Sequence, residues 1–323
     1  MAKFVGKLIE VSFAKETVRG TAVAASKWIN KTNMTFDDKD LYVQDEGGIG
    51  SIRDAKYNYL VKKWGEWDIE MDCDVNALGF MLLSLLWAPT SAVATTWAYT
   101  HTYALVETNQ TQSLTIGVKD PSAGQLNYAN AVIDKITISV NAAQIAKVTA
   151  TFKAKWSATT THSVSYTQDY KLLARHAIFK QATNLAWLAW ASAVSIRSFE
   201  ITISKNVEED MSLGTIAPDD FINKLFTVEW VFTLVFNDTT YKDFSLAGTQ
   251  RAVRFELSDT TTTIWISSNP WLRIDLPLVG LTEFSKNMGS GEVVLQTLNF
   301  KAVRSYADAS GISVVLTNTT ASY

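Results

Sequence analysis

Five carboxylates occupy alternate positions, Glu66, Asp68, Glu70, Asp72 and Asp74, interleaved with Trp67, Ile69, Met71, Cys73 and Val75. Successive side chains of a β-strand point to opposite faces, so this spacing predicts an acidic stripe backed by an apolar one. Several chemistries suit such a stripe. It can be a solvated strand face. It can bind a cation, although a straight strand spaces like-facing carboxylates about 6.6 to 7 Å apart, whereas calcium is usually gathered by a curved loop. It can repel a polyanion, provided the chain forms a wall around one. A general acid–base pair needs two carboxylates set apart in a pocket, and nothing in the stripe singles out two. A second acidic stretch, Asp37, Asp38, Asp40, Asp45 and Glu46, runs into Gly47 and Gly48. It reads as a solvent-exposed loop with glycine-permitted turns, which is also how a projecting interaction arm reads.

Other routes to chemistry are thin. His101, His162 and His176 lie in separate segments, without the one-turn spacing that puts two imidazoles on one helix face. The single cysteine, Cys73, falls in the apolar register and reads as a small buried hydrophobe. The chain lacks a phosphate-binding glycine loop, a G-x-S-x-G elbow and an H-E-x-x-H pair. No catalytic, cofactor-binding or metal-ligating residue is therefore expected, and no cofactor. A net charge of −3 disfavours tight nucleic-acid binding, which relies on phosphate neutralisation by Lys and Arg. One cysteine makes no internal disulfide, which fits a reducing compartment. Met1 to Glu16 is broken by Lys3, Lys7, Glu10 and Lys15 and lacks the apolar core of a signal peptide. The longest apolar runs, Leu78 to Ala88 and Ala186 to Val194, fall short of a membrane helix, so no membrane partner is expected.

The elements that must carry these residues are mostly strands. Period-two alternation predicts strands at Trp64 to Val75, Gln112 to Lys119, Ala131 to Val140, Ile145 to Trp156, Arg197 to Ser204, Phe226 to Phe236, Ala252 to Ser258, Ile264 to Ser267, Leu272 to Leu276 and Val293 to Val303. Asn76 to Trp87 predicts a helix that plugs a barrel or sandwich, and Lys171 to Gln181 a second helix. A length of 323 residues suggests about two domains. With 47% hydrophobic and only 19% charged residues, the chain is folded and its surface is short of charge.

The chain also repeats itself weakly. IGSIRDAKYNYLVKKWGEWDIEMDCD at Ile49 is echoed by LGTIAPDDFINKLFTVEWVFTLVFND at Leu213. A short helical piece follows in each half, Asn76 to Trp87 and Thr239 to Leu246, then a strand ending in Asp (SLTIGVKD, AVRFELSD), then a final strand (AKVTATFKAKW, EVVLQTLNFKAV). The Ser- and Thr-rich stretch Ser157 to Tyr170 lies between the halves. These features divide the chain into a first β domain at 1–160, a connector at 161–185 and a second β domain at 186–323.

KETVRGTAV at Lys15, KWINKTNMTF at Lys27, the long strand followed by ALGFMLLSLLW, and in the second half SFEITISKNVEED at Ser198 and LGTIAPDDFI at Leu213 together resemble the tail tube, or major tail, proteins of long-tailed bacteriophages. The resemblance implies a mainly β fold of two tandem, related β-sandwich or barrel domains, each with a short flanking helix. It implies a non-enzymatic structural subunit that partners itself in rings and other tail proteins. DNA would pass through the lumen without specific binding, in a virion tail assembled in the host cytoplasm. Two tube-like units per chain imply rings of three chains with pseudo-sixfold symmetry. On this resemblance Glu66, Asp68, Glu70, Asp72 and Asp74 become a lumen-facing stripe, and Asp37, Asp38, Asp40, Asp45, Glu46, Gly47 and Gly48 a ring-stacking loop. Another tail component, such as a terminator, and a carbohydrate-binding β-sandwich stand as alternatives. The latter needs Trp64, Trp67, Trp230 and Trp271 in an open groove rather than in a core.

Overall fold

The computed structural model describes residues 5–35, 38–47, 50, 52, 54, 56–108, 110–122, 124–291, 293–308 and 310–323. The first half carries β1 (Glu10–Lys15), β2 (Lys27–Ile29), β3 (Lys31–Thr35), β4 (Asp38–Asp45), β5 (Tyr57–Asp72), α1 (Val75–Leu85), β6 (Thr90–Thr95), β7 (Ala98–Ala104), β8 (Leu114–Asp120), β9 (Gly124–Asn141), β10 (Lys147–Ala154) and β11 (Ala158–Thr159). The second carries β12 (Ala177–Ala182), β13 (Ala193–Val194), β14 (Ser198–Ser204), β15 (Glu208–Asp210), β16 (Asp220–Ile222), β17 (Thr227–Val235), α2 (Thr240–Ala247), β18 (Arg251–Ser258), β19 (Trp271–Asn287), β20 (Leu295–Ala302) and β21 (Ser313–Asn318). The fold is mainly β and its strand pairs are antiparallel.

One long sheet organises the molecule. β3 and β4 pair with one edge of β5, whose other edge pairs with β10, and the order continues through β9, β14, β17 and β20 to the second half of β19. β9 and β19 are long enough to serve two layers. The first half of β9 pairs with β8 and its second half with β10 and β14. Likewise the first half of β19 pairs with β18 and β21 and its second half with β20. Both strands shift register within their pairing to β10 and β20, as a β-bulge does when it bends a strand from one sheet into another.

The core fills the space between these layers. Phe13 of β1 stacks on Phe152 of β10 at 5.6 Å, Phe179 of β12 meets Phe232 of β17 at 4.8 Å, and Phe255 of β18 stacks on Phe199 of β14 at 3.7 Å. Every residue of α1 is buried, as expected of a helix that is apolar all round. α2 buries only Tyr241 and ends on Gly248, whose φ of 62° is the left-handed conformation that glycine tolerates. The layers are also tied across the two halves, since β21 pairs with β19 on one side and with β7 on the other.

Three sequence expectations are corrected here. Lys171 to Gln181 is no helix but a 3-10 turn (Ala174–His176) followed by β12, because pairing to β18 overrides the local helical pattern. That strand also lies inside the span expected to be a connector. Ile264 to Ser267 forms a tight turn rather than a strand, with Ile266 at φ 49° and only an isolated bridge between Trp265 and Ser268. The acidic stretch around Asp40 is strand β4 of a hairpin with β5, not a loop.

Candidate functional site

The long sheet has two unlike faces. Trp67, Ile69 and Met71 of β5, Ile136 and Ile138 of β9, Ile201 and Ile203 of β14, and Trp230 and Phe232 of β17 are buried on one. Because directly opposed residues share a face, the other face carries Glu66, Asp68, Glu70 and Asp72 and continues through Thr149 and Thr151, Thr137 and Ser139, Glu200 and Thr202, Glu229 and Thr233, to Asn299 and Ser285. Hydroxyl pairs knit it together, Thr137 to Thr202 at 3.0 Å and Thr233 to Thr297 at 3.3 Å.

Four of the five stripe carboxylates therefore lie where their alternation places them. Lys147 Nζ sits 2.7 Å from Glu70 and Lys171 Nζ 2.6 Å from Asp72, while Thr151 Oγ1 donates to Asp68 and Trp64 Nε1 donates to Glu66 at 3.1 Å. Lys301 pairs with Glu229 at 3.1 Å further along the same face. Asp74 is placed elsewhere. β5 ends at Asp72, and Asp74 is the buried N-cap of α1, accepting from the backbone N–H of Ala77 at 3.0 Å and of Tyr170 at 2.8 Å. Burial raises its pKa, opposed by Lys27 at 3.6 Å.

Of the second acidic group, Asp38, Asp40 and Asp45 lie on β4, Asp45 accepts from the backbone N–H of Gly47 at 3.1 Å, and Glu46 is exposed. Asp37 and Gly48 lie outside the described residues. What the acidic pattern hid is that this hairpin exposes Leu41, Tyr42 and Val43 on one strand and Tyr57, Tyr59, Leu60 and Val61 on the other. Both strands of the hairpin thus leave large apolar side chains open to solvent.

A second hairpin, β15–β16, behaves differently, for it is seated on the first half of the chain. Phe221 and Val207 bury against Val132 of β9. Arg19 binds Asp220 at 2.7 Å and donates to the Phe221 carbonyl at 3.0 Å. Glu209 lies 3.1 Å from Lys62 and 3.2 Å from Lys153, and Ile216 O accepts from the Lys63 backbone N–H at 2.7 Å. Burial works against the charged form of Glu209, yet Lys153 and Lys62 hold its carboxyl below the usual range. Beside this contact, Lys205 at the end of β14 is wholly buried and donates to Ser84 O at 2.7 Å and Thr111 Oγ1 at 2.5 Å. Burial, with Arg19 adding and Asp134 opposing, lowers its pKa to about 7.

Groups that could do chemistry are dispersed or sealed. Cys73 is fully buried, and burial with Asp74 and Asp72 pushes its thiol pKa up, away from a reactive thiolate. His101 is held by Ser91, Asn318 and the Thr320 carbonyl, and His176 lies 3.4 Å from Asp259. Among the described residues no three His, Cys, Asp or Glu side chains gather as a metal site needs. Trp67 and Trp230 are buried and Trp64 and Trp271 half-buried, so these four tryptophans do not form an open sugar platform. No described helix is long and apolar enough to cross a membrane.

No curated protein matches the sequence. The family described as phage tail tube protein matches residues 6–302, nearly the whole chain, and the chain belongs to that family.

Proposed function

We propose that this protein is the structural subunit of a tail tube in which each chain supplies two related wall units, so that three chains close one ring and stacked rings form the conduit for DNA. The observation that carries the proposal is the long sheet itself. It has one apolar face covered by the rest of the molecule, one polar face left bare, and a terminal edge at each end without a partner among the described residues. A monomer with bare sheet edges is prone to unwanted pairing, whereas a polymer uses them.

Matching registers support two units in one chain. Trp67 stands opposite Phe152 across β5 and β10, and Trp230 opposite Phe300 across β17 and β20. β9 shifts register against β10 between Thr151 and Phe152, and β19 shifts against β20 between Leu281 and Glu283, opposite Phe300 and Asn299. Setting Phe152 on Phe300 brings the two bulges into coincidence. The units would then be 1–160 and 186–323, joined by 161–185, although β12 makes the last part of the join structural.

On this reading the polar face lines the lumen. Its carboxylates are interleaved with lysines that neutralise them, Lys153 opposite Glu66, Lys147 opposite Asp72 and Lys301 opposite Glu229, and its remaining side chains are mostly hydroxyls and amides. That composition discourages adhesion to DNA phosphates, whose binding needs clustered cationic groups. The exposed β4–β5 hairpin, with Asp38, Asp40, Asp45, Glu46 and Gly47, is the arm that reaches a neighbouring subunit or ring. The work is structural rather than catalytic, in a virion tail assembled in the host cytoplasm with other tail proteins. Negative-stain electron microscopy of the purified protein tests this: hollow filaments are expected, and a chain that stays monomeric under all assembly conditions refutes it.

A further inference from the structure

We propose that, where the two open edges of the long sheet meet between copies of this chain, they do so in the register already used within the chain between β9 and β14. This rests on the tube proposal above and adds which residue faces which.

Each open edge has an internal counterpart. Met34 and Thr35 stand opposite Ile69 and Asp68 of β5, as Phe199 and Glu200 stand opposite Phe232 and Val231 of β17. Farther along, Lys39 opposite Trp64 matches Ser204 opposite Thr227 once Trp67 is set on Trp230. β3 and β4 together thus hold the place of β14. At the other end, Phe284 and Ser285 face Leu298 and Thr297 of β20, as Ile136 and Thr137 face Ala150 and Thr149 of β10. The second half of β19 thus holds the place of the second half of β9. Inside the chain, β9 grips β14 over seven opposed pairs running from Asn141–Ser198 to Lys135–Ser204. Between chains the equivalent grip has its two edges ready and only a second copy to supply.

Transposed, that register sets Thr35 of one copy opposite Asn287 of the next, Met34 opposite Met288, and Lys39 opposite Glu283. The chemistry agrees with the placement. Two methionines meet on the apolar side, where Met288 is 69% exposed in the single chain. A lysine meets a glutamate on the polar side, and opposite charges directly across a strand pair stabilise it. A slip of one residue would send every one of these side chains to the wrong face. The hairpins follow the same rule. β15–β16 is the counterpart of β4–β5, with Asp210 opposite Asp220 matching Asp45 opposite Tyr57. The first hairpin of the two is already buried on its neighbour within the chain, while β4–β5 leaves Tyr57 and Tyr59 bare for the adjoining copy.

The test uses the full chain carrying Thr35→Cys and Asn287→Cys, both at exposed sites, with Cys73 sealed in the core. After assembly and mild oxidation, non-reducing electrophoresis should show a covalent ladder that ends at three chains. The pair shifted by one residue, Thr35→Cys with Lys286→Cys, should stay at one chain. Filaments that cross-link only in the shifted pair, or in neither, overturn the register and leave the tube proposal standing. A parent chain that forms no filaments overturns the tube proposal instead. A thiol-free variant gives an independent reading: Lys39→Glu should block assembly, and adding Glu283→Lys should restore it. Loss of assembly that the second change does not restore, with both variants folded by circular dichroism, also overturns the register.

Discussion

Replacing Gly79 by alanine sets two physical effects against each other. Gly79 sits in the middle of α1, where alanine is favoured over glycine by about 1 kcal/mol on helix propensity alone. A Cβ at this position, however, would lie 2.0 Å from the ring of Tyr323, a distance no packed structure allows. That ring is edge-on to Phe80 at 5.1 Å and to His101 at 4.9 Å, its hydroxyl donates to Asn76 O at 3.0 Å, and Lys15 Nζ donates to the Tyr323 carbonyl at 2.8 Å. Evicting it removes the packing of a buried aromatic side chain, which typically costs about 3 to 5 kcal/mol. Gly79→Ala should therefore destabilise by about 2 to 4 kcal/mol, the difference between the two effects. The assay is urea unfolding of the unassembled chain followed by circular dichroism. In a Tyr323→Ala background the obstacle is gone, so the same substitution should change sign and stabilise by up to about 1 kcal/mol. A Gly79→Ala chain more stable than its parent, or equal destabilisation in both backgrounds, would refute the reasoning.

Further outcomes follow from the same structure. Lys205 is neutral in the folded chain above a pKa of about 7, and an unfolded lysine stays protonated up to about 10.4. Between those values the unfolded chain binds one proton more, so stability should rise with pH across that window and lie flat below it. Lys205→Met should abolish the rise, as thermal melts at pH 6.5 and 9 would reveal, and an unchanged slope would remove Lys205 as its source. Reversing Asp68, Glu70 and Asp72 to lysine should leave the solvent-facing side of β5 folded but make assembled tubes retain DNA. Unaltered DNA release from such particles would count against a lumen position. Tyr57→Ser with Tyr59→Ser should leave the melting temperature of the single chain nearly unchanged, because both rings are exposed, and reduce assembly monitored by light scattering.

Much of this architecture is legible in the residues because period-two alternation survives intact wherever one face of a strand is buried. Glu66 to Asp72 shows it, and so do Ser198 to Ser204 and Thr227 to Val235. The alternation misleads at Asp74, which continues the count but caps a helix. The signal that separates the two roles is an acidic residue immediately ahead of the apolar run from Val75, a common helix start. β4 is less legible, since its strand residues Leu41 to Val43 are exposed and follow no burial pattern. The seat of β15–β16, the buried Lys205 and the contact of Tyr323 with Gly79 join residues far apart in the chain, and no local pattern announces them. The ends of the long sheet are of the same kind: an edge is defined by the strand it lacks, which only the assembled pairings disclose.

Image averaging of assembled rings viewed down the tube axis tests the central claim most directly. Three chains per ring with pseudo-sixfold symmetry, one unbroken sheet around the wall and its polar face inward, is the expected result. A ring with true sixfold symmetry built from six chains, or one whose wall is interrupted between β3 and β19 of adjacent copies, would contradict it.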